Sequence, residues 1–160
     1  MISATVKELK TELSSRPPKE LVELCLSLAK FKKENKELLT YLLYEAENEE
    51  AFIAGVKNEI DQLFTEVNRE SIYLAKKTIR KILRITKKYI RYSKKPETDI
   101  SLRIHFCSRM WAMRSFILRS GAMEKLYQRE LESIQKTIGT LHEDLQYDFI
   151  RELEKLSPVK

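Results

Sequence analysis

Three groups of residues have types and spacings that bear on chemistry. The first is a run of ten bases and no acid between residues 71 and 96. On a helix that turns about 100° per residue, with Ile72 at zero, Lys76, Lys77, Arg80, Lys81, Arg84, Lys87, Lys88 and Arg91 share one arc. Tyr73 is the one other residue in that arc, while Leu74, Ala75, Ile79, Ile82, Leu83, Ile85, Tyr89, Ile90 and Tyr92 fill the opposite half. An apolar arc this wide needs cover from more than one neighbouring helix. The spacing therefore predicts a helix seated in a core that presents a cationic ridge, roughly 22 Å long at 1.5 Å per residue. Such a ridge suits a phosphate backbone, with Tyr73 and Tyr92 as stacking candidates. No helix-turn-helix, zinc finger or aromatic RNA-binding signature accompanies it, so binding without base reading is expected.

The second group is an apolar stripe on the following helix: Ile100, Ile104, Cys107, Trp111 and Leu118, interrupted by Arg114. A separate face of the same helix carries Leu102, Phe106, Met110, Met113, Phe116 and Ile117. A helix with two apolar faces is either covered on both sides or leaves one for a partner. Trp and Arg together form the composition of an interface hot spot, so Ile104, Trp111, Arg114 and Leu118 are candidates for contact with another protein or a second copy. The alternative is a central helix covered on both sides by the same chain.

The third group resembles metal or catalytic motifs only in part. His142-Glu143-Asp144-Leu145-Gln146 begins like a zinc-protease helix, but Gln146 stands where the second His is needed. His105 and Cys107 point about 200° apart on a helix and cannot easily share a metal. Gly55, Gly121 and Gly139 stand alone, so no phosphate-cradling loop or dinucleotide fingerprint exists. The expected assignment is no enzyme, no cofactor and no metal. His142 is expected at the surface or as a helix cap, and Cys25 and Cys107 as two buried thiols.

The elements that position these groups are helical throughout. The 160 residues are 42% hydrophobic and 34% charged, with three Gly and four Pro, too few turn formers for a sandwich or barrel. No run of about 18 apolar residues predicts a membrane span, and no signal-peptide pattern opens the chain. The basic ridge is not expected to lie on a membrane, because its apolar arc is committed to the core. With only two Cys, a reducing cytoplasmic setting is expected. The net charge is +6, unevenly placed: residues 45–70 carry eight acids and two bases. An acidic helix packed beside the basic one would neutralise part of the ridge.

Helices are expected over about residues 2–13, from Pro18, from a cap at Asn35, from a cap at Asn48, from Asn68 or Ser71 to about Tyr92, and from a cap at Thr98 to Gly121. Residues 122–156 read as one kinked helix, since the apolar stripe from Tyr127 to Leu156 has no gap. Gly139, followed by Thr140-Leu141-His142-Glu143, argues for two. The whole is expected to be a single all-α domain over residues 1–160: a bundle or short α-solenoid of about six to eight helices, with one or two long C-terminal ones. Its first helix, within residues 1–16, is expected to attach loosely, and residues 157–160 to fray.

The segment Pro18 to Arg91, and especially Pro18-Lys19-Glu20-Leu21-Val22-Glu23-Leu24-Cys25 and Lys33-Glu34-Asn35-Lys36-Glu37-Leu38-Leu39, resembles an uncharacterised helical bacterial family and, more loosely, armadillo and HEAT repeats. That resemblance covers under half the chain. It implies a helical fold and partner binding, and assigns no functional residue. Together these readings point to a binding or scaffold protein that contacts another protein, with nonspecific nucleic-acid binding through residues 71–93 as the alternative.

Overall fold

The structure, a computed structural model, describes residues 1–156; the tail expected to fray lies outside them. Among the described residues there are nine α-helices and no strand. Where the sequence suggests one domain, the chain divides into two compact units at Tyr44.

The first unit holds α1 (Val6–Ser14), α2 (Pro18–Phe31) and α3 (Lys33–Thr40). Helix α1 starts later than expected because Thr5 and Glu8 form a capping box: Glu8 N–H donates to Thr5 Oγ1 at 3.3 Å, and Thr5 N–H to the Glu8 carboxylate at 2.7 Å. Pro17 is extended and Pro18 takes the first position of α2, where its missing N–H costs nothing. Lys32 is extended and separates α2 from α3. Asn35 therefore lies inside α3 rather than at its cap; its amide donates to the Leu28 carbonyl at 2.8 Å and ties α3 to α2. None of these helices contains a buried residue. Cys25, expected inside, is exposed. A π-helical turn, Tyr41–Glu45, follows α3.

The second unit holds α4 (Glu49–Thr65), α5 (Ile72–Ser93), α6 (Pro96–Ala112), α7 (Arg114–Ile117), α8 (Gly121–Ile138) and α9 (Glu143–Glu154). Helix α6 is the centre: α4, α5 and α8 all pack on it. Its Ile100, Leu102, Phe106, Cys107 and Met110 are fully buried. Burying each large apolar side chain contributes about 1.5–3 kcal/mol. Burial also pushes the Cys107 thiol well above its ordinary pKa.

Three expected boundaries move. Pro96, not Thr98, opens α6, and Thr98 is buried in its first turn. Helix α6 stops at Ala112, and Gly121 begins α8 after Ser120 instead of ending α6 in the left-handed conformation. The left-handed residue among the described ones is Lys94, with φ 58°, closing α5. Residues 122–156 form two helices, not one. Thr140 and Leu141 N–H groups turn back to the Thr137 and Ile138 carbonyls, and His142 becomes extended. The His142 ring accepts from Asp144 N–H at 3.4 Å and caps α9. The local stop signal therefore outweighs the continuous stripe. The stripe survives because the chain folds back: Leu153 and Leu156 are buried again.

Three acids bind the helices laterally. Glu49 accepts from the Thr98 hydroxyl at 2.6 Å and from Lys95 at 3.0 Å, and also takes the Ser93 hydroxyl. Asp61 of α4 meets His105 Nε2 at 2.6 Å and Arg109 Nε at 2.5 Å on α6. Glu130 of α8, 4% exposed, takes Arg103 of α6 and Lys87 of α5, the latter at 2.8 Å.

Removing one partner of a buried pair leaves the other charge uncompensated. Glu130→Ala is expected to destabilise the protein by about 3–5 kcal/mol in urea unfolding, whereas the exposed Glu132→Ala should stay within about 0.5 kcal/mol. Arg109 first, then His105, hold the Asp61 carboxyl below its ordinary value against the opposing effect of burial. A depressed folded-state pKa adds stability above the unfolded value and loses it as pH falls through the folded one. The stability gap between wild type and Asp61→Asn should therefore be full at neutral pH and close below the usual aspartate range, read by acid titration of the far-ultraviolet signal.

Candidate nucleic-acid interface

Helix α5 is fixed at both ends before any side chain faces solvent. Asn68 Oδ1 accepts from Glu70 and Ser71 N–H at 2.8 and 2.7 Å, shaping the approach, and Ser71 Oγ accepts from Leu74 N–H at 3.4 Å. Lys94, left-handed, returns its N–H to the Ile90 carbonyl at 3.0 Å. Between these caps Ala75, Ile79, Ile82, Leu83 and Thr86 are buried, and α4, α6 and α7 pack alongside. The expectation of cover from several neighbours is met.

The cationic arc has a centre and two edges. On one edge, Lys87 is drawn to Glu130 and leaves the ridge. Beyond the other, in the apolar half, Tyr89 points inward: its hydroxyl donates to Glu59 at 2.7 Å, and its ring packs edge-on to Phe52 at 6.0 Å and Tyr92 at 5.9 Å. Lys88 is half-buried and lies 4.7 Å from the Tyr89 ring. Tyr92 is buried and so is no stacking surface.

In the centre, Lys77, Arg80, Lys81, Arg84 and Arg91 are exposed and Lys76 is half-buried. Among the described residues, none of these six makes an ion pair with an acid. Tyr73 is 61% exposed, with Lys77 Nζ 4.4 Å from its ring centre. The acids of α4 that have named partners turn elsewhere: Glu49 to the α5–α6 turn, Asp61 to α6 and Glu59 to Tyr89. The acidic stretch is therefore not laid across the ridge centre. Arg80 and Arg84 sit one turn apart, about 6 Å along the axis. The result is a rigid row of cations with an exposed aromatic ring at its N-terminal end, able to contact successive phosphates.

The second candidate surface is placed differently. Ile104 is buried by the chain itself and Leu118 is half-buried. Trp111 is half-buried between two partners: it stacks on Tyr127 at 5.9 Å, and the Arg114 guanidinium lies 4.9 Å from its ring. Arg114 also donates to the Trp111 carbonyl at 3.1 Å. Of these four residues, only Arg114 is exposed.

Two features lie beyond the sequence pattern as read above, and only the first has a signal in it. Glu130 lies three residues after Tyr127 on the buried stripe of α8, and an acid on an apolar stripe marks a counter-charge. Asp61, His105 and Arg109 converge only once α4 and α6 pack, so no spacing within one helix reveals them. Among the described residues, no group of three or more His, Cys, Asp or Glu is placed to hold a metal ion, and no helix is long and apolar enough to cross a membrane.

No protein-family model matches the chain, and neither a curated protein nor a solved structure matches it. The likeness to armadillo and HEAT repeats accordingly rests on the helical pattern of residues 18–91 alone.

Proposed function

We propose that this chain is a non-enzymatic binding protein that holds nucleic acid through the phosphate backbone, using the centre of the α5 ridge. The observation that carries this reading is the row Lys77, Arg80, Lys81, Arg84 and Arg91, exposed and without an acid partner among the described residues, on a helix seated against three neighbours. Four of the like-charged i,i+4 pairs along α5 avoid Lys87, each costing about 0.2–0.5 kcal/mol. A phosphate chain offsets that repulsion and releases its own condensed counterions. Nothing on the ridge reads base edges, so the binding is expected to be indifferent to sequence.

A second reading, a scaffold that engages protein, is favoured by a different observation: most large apolar side chains of α1 and α2, among them Val6, Leu9, Leu24, Leu28 and Phe31, are exposed.

Fluorescence anisotropy with short DNA and RNA oligonucleotides across a salt series tests the first reading. If five phosphates are engaged, log K should fall against log salt with a slope of about −4.5 on duplex and −3.5 on single strands. Combined Lys77→Glu, Arg80→Glu and Arg84→Glu should remove the binding while the circular dichroism stays helical, since all three are exposed. Wild-type protein that ignores both nucleic acids at low salt would rule the proposal out. Arg84→Gln separates function from folding. It deletes two repulsive pairs, with Arg80 and Lys88, and should raise stability by roughly 0.4–1 kcal/mol while weakening the complex.

A further inference from the structure

Tyr73 does more than border the cationic row of α5: it lies on the same line. Counted at about 100° per residue, Tyr73, Arg80, Arg84 and Arg91 fall within about 40° of one another around the helix and span roughly 27 Å of its axis. All four are exposed, and none of the three arginines makes an ion pair among the described residues. The Tyr73 ring is 61% exposed. Lys77 Nζ lies 4.4 Å from its centre, over one face. No second aromatic ring packs against it among the described residues, whereas Tyr89 and Tyr92 pack on each other. A backbone laid along the arginine line therefore runs onto an aromatic ring.

Which strand can use both features is decided by what α5 can enter. The major groove of B-DNA is about 12 Å wide, and a helix with its side chains is about 10–12 Å across, so a helix enters that groove only when its flanks are bare. Helix α5 is flanked by α4, α6 and α7, which hold it out. The major groove of duplex RNA is deep and narrow and admits it no better. A duplex therefore meets the row only from outside, where its backbone winds away from the line of the row and its bases are stacked inward. A single strand has neither constraint. It can straighten along the row, and its bases are free to turn toward the ring.

We infer that the α5 row holds single-stranded nucleic acid, with an unpaired base stacked on Tyr73 and the neighbouring phosphates on Arg80, Arg84 and Arg91. The inference rests on the phosphate-backbone reading above, and adds to it the class of strand and the base contact. Every base has a π-face, so stacking accepts any of them. Tyr73 thus adds affinity for an unpaired base without adding sequence preference, while the arginines carry the salt dependence.

Titration of the full chain with labelled deoxyuridine and uridine oligonucleotides, and with duplexes of the same length, tests this. At a given salt concentration the single strands are expected to bind more tightly than the duplexes, and the two single-strand arms together show which sugar is held tighter. Tyr73→Ala should lower single-strand affinity by roughly 5- to 150-fold and leave the salt slope unchanged, because losing a stack releases no counterion. Tyr73→Phe, which keeps the ring, should bind like the wild type. Removing bases from the strand while keeping every phosphate should weaken its binding to the wild type and not to Tyr73→Ala. Neither substitution should change the helical circular dichroism, since Tyr73 is exposed. A duplex bound as tightly as the single strand, a Tyr73→Ala variant that binds like the wild type, or one whose salt slope flattens along with its affinity would overturn the inference and leave the phosphate-backbone reading standing. A wild type that binds neither form at low salt would overturn both.

Discussion

Helix α5 satisfies two demands that oppose each other. Its apolar arc must be enclosed, which draws other helices against it, yet its cations must stay out of reach of the acids those helices carry. The second unit is arranged around this requirement. Helix α4 supplies apolar cover through Val56 and Ile60 while directing Asp61 toward α6 and Glu59 onto a tyrosine hydroxyl. Lys87 is given up to a carboxylate that would otherwise be buried beside Arg103 alone. Full neutralisation would favour stability. The arrangement keeps the ridge charged at some cost to it.

Much of this was legible from residue types alone. The 3.6-residue period marks each helix, and α5 is read correctly because cations and apolar residues separate around its axis without exception other than Tyr73. The caps at Asn48 and Ser71 are likewise local signals, since the acceptor oxygen lies three residues from the N–H that it holds. The break before Glu143 was misread because a continuous stripe is compatible with two helices whenever the second folds back along the first. Pattern marks the face that is to be covered, not whether the axis runs straight. Gly121 was misread for the opposite reason: Gly ends helices often, but here the chain had already turned at Met113.

What lay outside single-helix reasoning was pairing between helices. Which cation of the ridge is lost, which tyrosine turns inward and whether Trp111 faces a partner or Tyr127 are decided by packing across α5, α6 and α8. The apolar residues of α1 to α3 present the same difficulty in reverse. Their pattern reads as core, and the structure gives them none. Amphipathicity states that a face must be covered, and leaves open by what.

The crowding of cations along α5 also ties the fold to its ionic surroundings in an unusual direction. Mobile anions soften repulsion within the ridge and, with a net charge of +6, across the molecule as a whole. Added electrolyte therefore favours the compact state of the free protein, and it would disfavour the proposed complex with a polyanion. If the ridge holds a polyanion as proposed, the conditions that best preserve the free protein are those under which that complex is weakest.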